Sequence, residues 1–179
     1  MRTEFKVNDG GREVYFKGEG GDCVTRAIVI ASGMDYKKVY DILAAGNKSQ
    51  RRSKHDRNKS KDRTLSALHG INVKRKWFKD QMAAWGFIWV PTMFIGSGCQ
   101  VHLCKQELPV GRLVVAVSGH YTSMIEGVIN DSWNPSRIWT SPYTGQELKT
   151  NQFIHEDGKT IHEESRCVYG YWEYPTNNS

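Results

Sequence analysis

A continuous run of apolar residues lies between Arg112 and Ser118 and predicts a buried central strand. Two further strand-like stretches follow it, His120 to Ile125 and Val128 to Asp131, separated by Glu126-Gly127. An acidic residue followed by glycine between two extended segments is typical of a two-residue hairpin loop. The middle of the chain is therefore predicted to form antiparallel strands.

Helical spacing dominates the first half of the chain. A helix is predicted from Cys23 to about Gly33, with Asp22 as its N-cap, and a second from Tyr36 to about Ala45 after Asp35. A third helix is predicted around 74–85, and extended segments at 12–17, 88–90 and 168–172; residues 136–166 fit no element. Helices first and antiparallel strands later indicate an α+β class, with residues 1–179 as a single domain.

Charge changes this picture in one segment only. The formal net charge is +6, and residues 48–63 carry eight Lys and Arg against two Asp, which gives the same +6. Because residues 47–63 contain almost no apolar side chain, they are predicted to form a basic, mobile, solvated loop. Lys48–Arg63 is thereby the segment through which a nucleic acid or an acidic partner would bind.

Cysteine usage and hydropathy bear on the compartment. Four cysteines in 179 residues form no dense disulfide framework, and no signal-peptide pattern follows Met1. No stretch approaches the roughly 18 apolar residues that span a bilayer. The sequence predicts a soluble cytoplasmic protein without a membrane partner, whose cysteines stay thiols. It does not indicate the oligomeric state.

Cys23 is the strongest candidate nucleophile. It follows the glycine-rich stretch Gly18-Glu-Gly-Gly21 and stands in the first turn of the predicted helix. A helix N-terminus stabilises a thiolate, and its free N–H groups can bind a developing oxyanion. Glycines such as Gly21 let a substrate approach the backbone closely. Gly21 and Asp22 are therefore predicted to line the site. The opposing hypothesis is that Cys23 is an inert buried cysteine.

The hairpin register supplies a base and an orienting residue. If Ile125 pairs with Val128, His120 lies opposite Trp133, and His120 and Asp131 become diagonal neighbours on one face. A carboxylate in that position can hold the imidazole in one tautomer and orientation. We therefore expect a Cys23–His120–Asp131 triad shielded by Trp133.

These blocks resemble the papain-like cysteine peptidase superfamily. Gly21–Ile28 resembles the Cys motif of ovarian-tumour (OTU) deubiquitinases, Gly119–Tyr121 resembles their His motif, and Asp131–Trp133 resembles papain's Asn-Ser-Trp. Papain-like proteins encoded by bacteriophages are also similar, which implies a host cytoplasm. The resemblance covers residues 18–31 and 113–135. It implies a papain-like fold and a thiol protease acting on peptide or isopeptide bonds, with no cofactor. One departure is Lys17, where papain has the Gln of its oxyanion hole.

Other hypotheses stay open at this stage. The first is a catalytically silent papain-like module that binds a host protein or nucleic acid through the basic loop. The second is an acyltransferase or transglutaminase-like enzyme, which uses the same triad and differs in its acceptor. Cys99, His102 and Cys104 are weak candidates for a metal site because their spacing matches no standard zinc pattern. No metal site is therefore predicted.

Overall fold

A computed structural model describes residues 3–50, 66–135, 138–140, 147–149, 152–154, 160–163 and 166–175. These residues form a mixed α and β structure with three α-helices and a six-stranded mixed sheet. The helices are α1 (Cys23–Ser32), α2 (Tyr36–Ser49) and α3 (Lys76–Ala84). The strands of the sheet are β1 (Phe5–Val7), β2 (Ile88–Pro91), β3 (Arg112–Val117), β4 (His120–Ile125), β5 (Val128–Asp131) and β10 (Val168–Tyr174). Four short strands form two separate pairs: β6 (Ile138–Thr140) with β7 (Glu147–Lys149), and β8 (Gln152–Ile154) with β9 (Thr160–Glu163).

The sheet confirms the predicted hairpin. Strand order is β1-β5-β4-β3-β10-β2, and every pairing is antiparallel except that of β1 with β5. Ile125 pairs with Val128, as the two-residue loop requires. Glu126 and Gly127 have φ of 49° and 79°, and positive φ at both central residues characterises the type I′ turn that suits hairpin twist. The register that places His120 and Asp131 on one face is therefore set locally.

Apolar residues cover both faces of the sheet, which explains the unbroken apolar run of β3. On one face Val114 belongs to a core with α1, α2 and α3. On the other face Leu113, Val115 and Val117 pack with Leu103 and neighbouring residues. Helix α1 is buried from Val24 to Ala31, as expected of a central helix. The Arg112 guanidinium donates to the carbonyls of Ile30 and Ala31 and ties the end of α1 to β3.

Several predicted boundaries are wrong. Residues 12–14 form a 3₁₀ helix rather than an extended segment, and the parallel edge strand β1 was not predicted. Helix α2 continues to Ser49, so residues 47–49 belong to it and not to a basic loop. The continuation preserves helical hydrogen bonding past Ala45, which residues 46–49 permit despite their polarity. Residues 51–65 lie outside the described part of the chain, so the remainder of that prediction stays untested.

The expectation that all four cysteines are thiols is wrong for two of them. Cys99 and Cys167, which are 68 positions apart in sequence, form a disulfide with Cα atoms 5.6 Å apart. An antiparallel bridge between His102 and Cys167 brings the two segments together. Cys23 and Cys104 are free. Contacts so distant in sequence leave no local pattern, which is why spacing alone missed the bond.

Candidate active site

The three predicted catalytic residues stand at the ends of neighbouring elements. Cys23 is the first residue of α1, His120 is the first of β4, and Asp131 is the last of β5. Helix α1 packs against β4 and β5. Cys23 is partly exposed, whereas His120 and Asp131 are buried, with 9% and 3% exposure. Of the three residues, the candidate nucleophile Cys23 is therefore the accessible one, and His120 and Asp131 are buried.

Asp131 holds the imidazole by a direct hydrogen bond. His120 Nε2 lies 2.7 Å from Asp131 Oδ2. The second carboxylate oxygen, Oδ1, accepts from the main-chain N–H of Ser132 at 2.7 Å. Both oxygens thus have partners, and the carboxylate is fixed in orientation. With Nε2 engaged by Asp131, Nδ1 is the nitrogen left for Cys23.

The surroundings of His120 favour its charged form. Burial is the largest single influence on the pKa of His120, and it lowers that pKa. Hydrogen bonds with Asp131 and Cys23 and the charges of both residues raise it, and together they outweigh burial, so the pKa is about 9. An imidazolium next to a thiolate is the ion pair that cysteine nucleophiles use. The pKa of Tyr121 is raised to about 12 by its burial and by the charge of Cys23. Tyr121 therefore stays neutral beside the nucleophile.

Trp133 contacts the histidine but does not seal it. The rings of His120 and Trp133 have centroids 4.8 Å apart at an interplanar angle of 45°. Trp133 is itself 44% exposed, and it is not among the residues that line the neighbouring cleft. Its indole covers one side of the imidazole, which agrees with the predicted shielding contact. Trp133 therefore contacts the imidazole without lining the cleft.

Asp22 occupies the N-cap position, but its side chain makes no capping hydrogen bond. The carboxylate is 1% exposed. It accepts from Arg12 Nε at 3.0 Å and from the Tyr36 hydroxyl, and it lies 3.6 Å from Arg26 Nε. Asp22 therefore does not line the cleft, contrary to prediction. Two cations and a hydroxyl outcompete the helix terminus for this carboxylate.

Diverting Asp22 leaves the start of α1 available to a ligand. In the described part of the chain, no acceptor is bonded to the main-chain N–H of Cys23. That N–H is suited to stabilise an oxyanion formed at a carbonyl attacked by the neighbouring sulfur. Lys17, at the position of papain's glutamine, is exposed and does not line the cleft. The structure thus supplies a main-chain donor.

Arg26 links the nucleophile's helix to the hairpin. Its Nη1 donates to the hydroxyl of Ser132, the residue that follows Asp131. Arg26 is 7% exposed and its guanidinium also lies beside Asp22. One side chain therefore connects the residue before Cys23 to the residue after Asp131. The sequence analysis missed this role, although an arginine within an apolar helix, four residues after an aspartate, was the available signal.

A cleft of about 680 Å³ opens at Cys23 and His120. Gly21 lines it, as predicted, but the space beside the Gly21 Cα is occupied. A Cβ there would lie 3.3 Å from the carbonyl oxygen of Leu68 and 3.6 Å from His69. The glycine thus admits the protein's own 68–69 backbone rather than a substrate. Other lining residues come from the segment between His69 and Lys79, from β2 and from β10.

The alternative metal site is not assembled. Cys99 is bonded to Cys167, and His102 Nδ1 pairs with Glu107 at 3.0 Å. Within the described ranges, no group of three or more His, Cys, Asp or Glu residues is arranged to hold a metal ion. Because its sulfur is in the disulfide, Cys99 also cannot act as a nucleophile.

Comparison with known proteins leaves the geometry as the main evidence. No protein-family model, curated protein or solved structure matches the chain. Among the described residues, none of the helices has the length and apolar character that crossing a membrane requires.

Proposed function

We propose that the protein is a cysteine-dependent hydrolase of papain-like type that cleaves a peptide or isopeptide bond. The observation that carries this proposal is the assembly at one cleft of a partly exposed Cys23 and a buried His120 hydrogen-bonded to Asp131. Nucleophile, base and orienting residue in this order are the parts of a thiol hydrolase. The substrate would be a protein or peptide, and the reaction needs no cofactor.

Each of the three residues has a defined part in the proposed reaction. The Cys23 thiolate attacks the substrate carbonyl carbon, the C=O π electrons move to oxygen, and the Cys23 N–H stabilises that oxyanion. The His120 imidazolium protonates the leaving amine as the C–N bond breaks, giving a thioester. His120 then takes a proton from water, hydroxide adds to the thioester, and the carboxylic acid and the thiolate are released. Asp131 holds the imidazole through both steps.

Thiol labelling tests the proposal without a known substrate. Cys104 is a matched internal control, because it is also free and partly buried, but its pKa is raised by burial and by Glu107. We expect iodoacetamide to alkylate Cys23 roughly 100-fold faster than Cys104 at neutral pH, since the thiolate is the reactive form. Replacing His120 by Gln should remove most of that difference. Equal rates at the two cysteines would exclude a catalytic Cys23.

Turnover gives the second test. On a panel of peptide and ubiquitin-like substrates, Cys23→Ala should abolish hydrolysis, and Cys104→Ala should leave it unchanged. Hydrolysis that survives in Cys23→Ala would assign the nucleophile elsewhere.

A further inference from the structure

We propose that the cleft selects an acidic peptide, with a substrate carboxylate held by Lys74 and Lys79 and an apolar residue held against Trp89. This inference rests on the proposed hydrolase function and adds its substrate class. Both lysines line the same cleft as Cys23 and His120.

The charge of the cleft is one-sided. Lys74 and Lys79 are both exposed, and within the described part of the chain neither forms a salt bridge. Among the described residues that line the cleft, none is Asp or Glu. Asp22, which precedes Cys23, and Asp131, which contacts His120, are buried and already paired. A negatively charged substrate group would thus meet cations with no local carboxylate competing for them.

Aromatic residues also line the cleft. Trp89 of β2 and Trp172 of β10 lie with ring centroids 5.0 Å apart, and both line the cleft together with Tyr169. Gly170 makes this arrangement possible, because a Cβ at that position would lie 2.4 Å from the Trp89 ring. Such surfaces bind apolar side chains by contact area. The cleft therefore combines an aromatic surface with two lysine side chains.

A peptide fits this combination better than a polyanion does. The nucleophile attacks a carbonyl carbon, and a peptide is the polymer that offers carbonyls with apolar and acidic side chains at neighbouring positions. A nucleic acid presents phosphates at regular spacing and no acyl carbon for a thiolate. The chemistry of the cleft thus favours an apolar residue and Asp or Glu close to the scissile bond.

A charged and a neutral alkylating agent together test the effect of Lys74 and Lys79 on Cys23. Iodoacetate and iodoacetamide differ mainly by one negative charge, so their ratio of rates at Cys23 reports the local field. The His120 imidazolium contributes equally in every lysine variant. We expect Lys74→Gln and Lys79→Gln each to lower the iodoacetate-to-iodoacetamide ratio about three- to tenfold. The difference should shrink between low salt and about 0.5 M salt.

Lys38→Gln is the matched control, because Lys38 is exposed on α2, is outside the cleft and carries the same charge. It should leave the ratio unchanged. The same ratio in the cleft variants as in Lys38→Gln would overturn the inference, even if Cys23 remained hyperreactive. Loss of hyperreactivity relative to Cys104 would instead overturn the proposed hydrolase, so the two failures are distinguishable.

Peptide pairs that differ only by Glu or Gln beside the scissile bond complete the test. Wild type should cleave the Glu peptide with a several-fold higher kcat/KM, and Lys79→Glu should reverse that preference. A phosphoserine peptide preferred over its Glu counterpart would still indicate an anionic substrate group and would identify it as phosphate. The proposal would be refuted if wild type did not discriminate between the Glu and Gln peptides. It would also be refuted if oligonucleotides inhibited the enzyme and acidic peptides did not.

Discussion

Removing the Cys23 thiol should lower the pKa of His120, because the thiol supplies part of what keeps the imidazole charged. The pKa of His120 is raised from 6.5 to about 9, which corresponds to about 3 kcal/mol between its two protonation states. Burial opposes this rise, and Asp131 and Cys23 produce it jointly. In Cys23→Ala only Asp131 remains against burial. We expect the pKa to fall by roughly 1–2 pH units.

The measurement is an NMR titration of the imidazole in protein labelled at histidine. The chain contains six histidines, and the spectrum of His120→Gln assigns the resonance of interest by its disappearance. Cys104→Ala is the control for the loss of a free thiol, since Cys104 is not among the groups that shift the pKa of His120. The titration of His120 should be the same in this variant as in wild type.

Two outcomes would refute the reasoning. If His120 of wild type titrates near 6.5, the charges of Asp131 and Cys23 do not outweigh burial. If it titrates near 9 in both wild type and Cys23→Ala, Asp131 alone supports the imidazolium, and no thiolate–imidazolium pair exists. The proposed nucleophile would then lack its activating partner.

Four further outcomes are expected. Asp131→Ala should reduce kcat/KM at least about a hundredfold, and Asp131→Asn less, because an amide oxygen still accepts from the imidazole; equal losses would deny an orienting role. Folded His120 binds more protons than the unfolded chain between pH 6.5 and about 9, so urea-unfolding stability should fall across this window by up to about 3 kcal/mol, and His120→Gln should lose this slope. Asp22→Ala removes the carboxylate that pairs with the buried Arg12 and Arg26, and it should lower the unfolding free energy by about 3–5 kcal/mol. A change below about 1 kcal/mol would mean that solvent screens these ion pairs. Replacing both Cys99 and Cys167 by Ser should cost roughly 2–5 kcal/mol without reductant, whereas no change would show that the bond does not constrain the unfolded chain.

The hairpin could be predicted because its information is local. Two residues, Glu126 and Gly127, define the loop, and the alternation of side chains then assigns every position to a face. The pairing of Ile125 with Val128 and the 2.7 Å contact of His120 with Asp131 both follow from that one inference. Helix α1 was predictable for the same reason, because a glycine-rich stretch and an apolar run mark its start.

The features that the sequence did not reveal depend on residues far apart in the chain. The Cys99–Cys167 bond joins positions 68 residues apart, and β1 pairs with β5 across more than a hundred residues. Neither leaves a periodic signal, because each depends on how finished elements pack. The position of Lys74 and Lys79 in the cleft could not be predicted either, since a charged residue on a predicted helix gives no indication of which cavity it faces.

Asp22 shows how a correct position can carry a wrong role. Its place before an apolar helix predicted a cap, and capping would have stabilised α1 by about 1 kcal/mol. The structure uses the carboxylate for Arg12, Arg26 and Tyr36 instead. A capping side chain would occupy the N–H of Val24 or Thr25, next to the N–H of Cys23. Without that cap the first turn keeps its donors for a ligand, and the same carboxylate anchors Arg26, which reaches Ser132 beside Asp131.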